Sequence, residues 1–206
     1  MRTLVVFVLL TLATFSSAQV IGFGGCPDFR PAVEFDLNLY AGRWYEIALF
    51  YNAPQEGLRC QSSSYTVKDG YYFYTNESGI DPYGNAYSYQ IPVYRSGADP
   101  NDVTILYYAS ETTPGEFKVV FVDYQSYAIL HDCNEYLWGF MNVQNNWIIA
   151  RDRTMSEDDY DDALRYLASM GVNVRKFKKA DQEDCPVYRD VPEQDEDPEN
   201  EDEPRK

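Results

Sequence analysis

The chain has a single histidine, His131, and four cysteines, Cys26, Cys60, Cys133 and Cys185. One histidine excludes a multi-histidine metal centre, and the cysteines lie too far apart for a zinc knuckle. Cations are scarce: 17 Lys and Arg stand against 33 Asp and Glu, for a formal charge of −16. A chain of that sign excludes nucleic acid as a partner, because phosphate binding depends on Lys and Arg. Beyond the first residues no run is long and apolar enough to span a bilayer. Helical periodicity is nearly missing, and no internal repeat is seen.

What is present sorts into three parts. Arg2 precedes an apolar run over 4–15, and Ser16-Ser17-Ala18 offers small residues for cleavage before Gln19. That order is a secretory signal peptide, 1–18, and it predicts a secreted, extracellular protein. Residues 19–189 have the length to bury a core as one domain. The segment 190–206 holds nine acidic residues against Arg205 and Lys206, with almost nothing apolar. It cannot offset its own ordering entropy and reads as a disordered acidic tail. In an oxidising compartment four cysteines predict two disulfides, and their spacing leaves all three pairings open.

Between 44 and 153, short runs rich in Tyr, Val, Ile and Phe are broken by Gly, Pro, Asn and Asp. They predict strands over 44–50, 60–67, 71–76, 86–94, 103–109, 117–124, 127–133 and 146–153, with Asp69-Gly70 as a hairpin turn. Strands without intervening helices imply an antiparallel barrel or sandwich. One segment alone is helical. Tyr160, Ala163, Leu164, Leu167 and Met170 recur at three- and four-residue steps. Ser156 can cap it, Asp158, Asp159, Asp161 and Asp162 suit its dipole, and Gly171 ends it. A short strand over 172–177 follows.

Four features together resemble the lipocalin family, in its apolipoprotein D, insect bilin-binding and crustacyanin-like branch. Gly42-Arg43-Trp44 is similar to the Gly-x-Trp motif that opens the first barrel strand. Val122-Asp123-Tyr124 resembles a Thr-Asp-Tyr turn, with Val in place of Thr. Arg151, closing Trp147-Ile148-Ile149-Ala150-Arg151, matches the Arg that packs over the motif tryptophan. The fourth is the cysteine framework, with Cys185-Pro186 after the helix. The resemblance implies an all-β, eight-stranded antiparallel up-and-down barrel with one C-terminal helix packed outside. It also implies the bridges Cys26–Cys133 and Cys60–Cys185.

Strand alternation from Trp44 and Arg151 then places Glu46, Ala48, Phe50, Trp147 and Ile149 on the lumen side. Glu46 is expected to meet a basic or hydroxyl group near the closed end. An outward Cys133 puts Ala128 and Leu130 inside and leaves His131 outward and partly exposed. The resemblance adds Tyr65, Tyr72, Tyr74, Asn76, Phe117, Val119 and Phe121 to the wall. Nineteen tyrosines supply flat apolar surface with hydroxyl ends, which suits a conjugated amphiphile such as biliverdin, a carotenoid or a retinoid. No covalent cofactor is implied. Asn76-Glu77-Ser78 is also a glycosylation sequon, in conflict with an inward Asn76.

The leading functional reading is a secreted carrier of one small hydrophobic ligand. Catalysis is disfavoured, because the framework uses every thiol and His131 has no nucleophile partner at a recognisable spacing. The rival is an extracellular interaction protein acting through its acidic tail, on Ca²⁺ or basic partners. Homo-oligomerisation and ligand identity stay open at this level.

Overall fold

The computed structural model describes residues 20–29, 35–68, 72–96, 104–107 and 115–187. The signal-peptide segment, the Asp69-Gly70 turn and the acidic tail lie outside the described residues.

Eight antiparallel strands form the wall: β2 (Gly42–Phe50), β3 (Arg59–Val67), β4 (Tyr72–Ile80), β5 (Ala86–Arg95), β6 (Thr104–Tyr107), β7 (Gly115–Val122), β8 (Tyr127–Tyr136) and β9 (Met141–Ala150). Each pairs with the next, and β9 returns to pair with β2, closing the barrel. Closure removes the unpaired edges that an open sheet would expose. Two short strands extend the sheet. β1 (Val20–Phe23) pairs with β9, and β10 (Phe177–Lys179) pairs with β2.

Several strands differ in extent from the sequence reading. β4 runs on to Ile80, because Glu77, Ser78, Gly79 and Ile80 all find partners on β5. β9 starts at Met141 rather than 146, and Asn142 and Gln144 there pair with β1 and β8. Those polar residues have low strand propensity, and it is pairing on two sides that holds them extended. The last strand is later and shorter than expected, after one helical turn at Val174–Lys176.

The helix forms where its periodicity lies. After the single turn α1 (Leu37–Tyr40), α2 covers Glu157–Ser169. Ser156 Oγ accepts from the Asp159 amide at 3.1 Å and donates to Asp159 Oδ2 at 2.7 Å. Ala163 and Leu167 are its buried face.

Two apolar clusters sit on opposite sides of the wall. The inner one takes a buried residue from every barrel strand: Trp44, Tyr65, Phe73, Val93, Ile105, Val119, Ala128 and Leu130, and Ile149. The outer one lies between the wall and α2, and joins Phe50, Val120, Tyr127, Ile129 and Ile148 to Ala163 and Leu167. Two bridges tie the ends down, Cys26–Cys133 and Cys60–Cys185, with sequence separations of 107 and 125. Loops of that length are worth roughly 4–5 kcal/mol each in chain entropy, as an upper figure.

Candidate ligand-binding lumen

The closed end is built from the sequence motifs. Gly42 has φ of +93°, where a side chain would be strained, and a Cβ there would stand 3.4 Å from the Arg151 guanidinium. Trp44 is 1% exposed, and its indole N–H donates to the Tyr40 carbonyl at 2.8 Å. The Arg151 guanidinium lies 3.7 Å from the centre of the Trp44 ring. It donates to the carbonyls of Tyr124 (2.9 Å), Arg43 (3.0 Å), Leu39 (2.8 Å) and Tyr40 (3.3 Å). Asp123 Oδ1 caps its own turn by accepting from the Gln125 amide, and the Tyr124 hydroxyl accepts from the Asp36 amide. One arginine thus joins α1, β2 and the β7–β8 turn. Phe35, Tyr40, Tyr65 and Phe73, all buried, pack at tilted and edge-on angles around Trp44 and close this end, with Tyr40 and Tyr65 centred 5.0 Å apart.

Toward the mouth, packing loosens and polar groups enter. Phe117 and Trp147 are half-buried against the inner cluster, as is Tyr107, whose ring lies 6.1 Å from Phe117. Glu46 is buried on the inner wall. Gln55 Nε2 donates to its Oε2 at 2.8 Å and Gln61 Nε2 to its Oε1 at 2.9 Å. The Trp147 indole donates to Gln55 Oε1 at 3.0 Å, and the Tyr87 hydroxyl to Gln61 Oε1 at 3.1 Å. Gln55 comes from the single turn after β2 (Ala53–Gln55) that folds over the mouth. Burial pushes the Glu46 carboxyl up to about 7, against the pull of its two amide donors. Its partners are amides, where a basic or hydroxyl group was expected.

The lumen side expected from alternation fails on β2, and the side implied by the resemblance fails on β4 and at Phe121 on β7, each for a physical reason. Phe50 is on the outer wall against Phe177, with ring centres 4.7 Å apart. A bulge between Glu46 and Ala48 inserts a residue, so Ala48 also turns outward and Leu49, opposite Trp147, takes the inner place. Phe121 is likewise outside, stacked 5.0 Å from Tyr127, because β7 bulges between Val119 and Phe121. On β4 the phase is the opposite of the expected one. Phe73 is fully buried in the inner cluster, so Thr75 and Glu77 face inward and Tyr74 and Asn76 outward. The side chain of Tyr72 lies outside the described residues. With Asn76 outward, the conflict between the sequon and the lumen disappears.

His131 is outward and only 3% exposed, not partly exposed. Its ring lies 4.4 Å from that of Phe29, tilted by 54°, and Nδ1 meets Asn146 Oδ1 at 2.8 Å. Burial pulls its pKa down to about 4, so the imidazole is neutral in ordinary conditions.

Among the lumen residues missed at the sequence level are Leu49, Gln55, Gln61, Phe73, Thr75, Glu77, Tyr87 and Tyr107. Gln61 had a signal, standing two and four residues before Ser63 and Tyr65 on one strand face. Gln55 had none, because it reaches the lumen from a loop.

A sealed, arginine-stapled floor under an eight-stranded barrel with an outer helix defines a cup-shaped binding protein, and comparison with known proteins agrees. Residues 35–182 match the lipocalin-like domain family. The chain belongs to the lipocalin family. It is 26% identical to apolipoprotein D of Cavia porcellus over 189 residues, covering 91% of this chain and 98% of that one. It is 23% identical to insecticyanin-B of Manduca sexta, over 86% of this chain and 88% of that one. The solved lobster apocrustacyanin A1 superimposes with a TM-score of 0.69 at 22% identity, over 82% of this chain and 93% of that one. Insecticyanin from the tobacco hornworm gives 0.69 at 20% identity, over 79% and 89%. Among the described residues no helix is long and apolar enough to cross a membrane.

Proposed function

We propose that the chain is a secreted carrier that holds one small hydrophobic ligand in the outer half of the barrel, without catalysis. The observation that carries this reading is the contrast along the barrel axis. The floor is packed solid, while Trp147, Phe117 and Tyr107 above it stay half-buried on an inward face. An aromatic wall with a few fixed polar groups is the usual make-up of a small-molecule site. The family supports transport, and the bilin-binding and crustacyanin-like branch supports a biliverdin-, carotenoid- or retinoid-like molecule. All four cysteines are in bridges, so no thiol nucleophile faces the lumen. The leader sequence and the disulfides support export to an oxidising compartment.

Trp147 is the reporter. Trp138 is fully exposed and Trp44 sealed in the floor, so a Trp138→Phe variant leaves Trp147 as the indole that a ligand reaches. Titration with retinol, biliverdin or a carotenoid should quench its fluorescence with a one-to-one end point. No quenching by any of the three would count against a ligand-filled lumen.

A further inference from the structure

Among the described residues, three carboxylates lie on the inner faces of the strands: Asp132 toward the rim, which accepts from the Asn134 and Asn145 amides, and deeper Glu46 and Glu77, both raised by burial, Glu46 to about 7. Glu46 receives one amide N–H₂ on each oxygen, from Gln55 and Gln61. The carbonyl oxygens of those amides are themselves engaged by Trp147 and Tyr87, so they have donors of their own and are poorly placed to take a proton from Glu46. The network is therefore directional: indole and phenol donate to amides, and amides donate to the carboxylate. Glu77 repeats the pattern one layer deeper. Ser63 Oγ donates to its Oε2 at 2.8 Å, and Thr75 Oγ1 to its Oε1 at 2.8 Å.

No Lys, Arg or His answers these charges among the described lumen residues above the Trp44 layer. Arg151 is spent on the floor, Lys118 is next to an inward Phe117 and so points out, His131 is outside the wall, and Arg95, inward two residues past Val93 and opposite Ile105, sits at the other end of β5 from Tyr89 and Glu77. An unpaired buried carboxylate is costly, and it persists where a ligand completes it. Tyr89 pairs with Glu77, and Tyr87, which donates to the Gln61 that binds Glu46, is stacked on Tyr89 with centres 5.8 Å apart. Their faces suit a cation as well as an apolar ring. The described residues hold no group of three or more His, Cys, Asp or Glu that could take a metal ion.

We infer that the lumen selects amphiphiles carrying a protonated amine, with the ammonium seated between Glu46 and Glu77 and the apolar body against Trp147 and the tyrosine wall. This rests on the carrier reading above and narrows its ligand class. Amines gain a Coulomb and hydrogen-bond partner at each acid, whereas a ligand carboxylate of the same shape is repelled by both.

The test is a matched series on the full-length secreted protein: 1-naphthylmethylamine, 1-naphthylmethanol and 1-naphthoate, titrated by calorimetry at pH 8. The amine should bind at least tenfold more tightly than the alcohol, and the carboxylate most weakly. Glu46→Gln and Glu77→Gln should each cut the amine-to-alcohol preference at least threefold, and the double variant should bring it near one. An alcohol or acid that binds wild type as tightly as the amine overturns the inference, whatever the variants do. If none of the three binds while retinol still quenches Trp147, the inference falls and the carrier reading stands. If retinol, biliverdin and the carotenoid all fail to quench as well, both fall.

Discussion

Arg151→Ala tests the floor of the barrel. The guanidinium contributes one cation–π contact at 3.7 Å and four donated hydrogen bonds. The contact over Trp44 is worth about 1–2 kcal/mol in this sheltered place. The carbonyl of Leu39 is on the exposed side, where water replaces the lost donor, while those of Tyr124, Arg43 and Tyr40 are less accessible. Loss of one or two such bonds adds about 1 kcal/mol each. The expected cost is about 2–4 kcal/mol, or a fall of roughly 5–15 °C in Tm for a domain this size. Arg151→Lys keeps the charge and loses the planar fork, so it should recover less than half. Thermal melts followed by circular dichroism measure both. A Tm within 2 °C of wild type for Arg151→Ala, or full rescue by Lys, would refute the view that one guanidinium staples three elements.

Three further outcomes are expected. The Glu46 carboxyl is raised to about 7 in the folded state, so between about pH 4.5 and 7 the native protein binds more protons than the unfolded chain, and stability falls as pH rises, by up to about 3 kcal/mol. His131 is lowered to about 4, so between pH 4 and 6.5 the unfolded chain binds more protons and stability rises with pH; the two slopes oppose each other in wild type, and Glu46→Gln should expose the rising His131 slope in urea melts at pH 5 to 8, whereas an unchanged profile would count against a buried ionisable Glu46. Trp147→Ala should weaken retinol binding roughly tenfold to a hundredfold (about 1–3 kcal/mol), while Phe121→Ala, on the outer wall, should lower Tm through a cavity cost of about 3 kcal/mol and leave affinity alone; the reverse pattern would restore the unbulged phase. Because Asn76 points outward, protein expressed in a glycosylating host should lose mass on glycosidase treatment, and Asn76→Gln should lack that step; a single unshifted species in both would remove the sequon from consideration.

The residues themselves determined the family and its frame, because those signals are local. Gly42, Trp44 and Arg151 each need one residue type at one place: a backbone turn, a rigid plug and a planar cation over it. The helix at Glu157–Ser169 was legible from its cap and its period, and eight strand segments from turn residues between aromatic and branched runs, while their order as one barrel was implied by the resemblance. Which side chains face the lumen was decided by tertiary structure. Alternation betrays a phase only when one face is polar, and on β2 and β7 to β9 the outer wall is apolar too, since α2 packs over it. Phe50 and Phe121 are as apolar as their inner neighbours, so nothing local marks the bulges that turn them outward. In Tyr72-Phe73-Tyr74 the aromatic run fits either phase, and only pairing with Val67 and Val93 commits Phe73 to the core. The Glu46 network needed a loop, two strands and a third strand's indole to converge, and no spacing along one chain encodes that convergence.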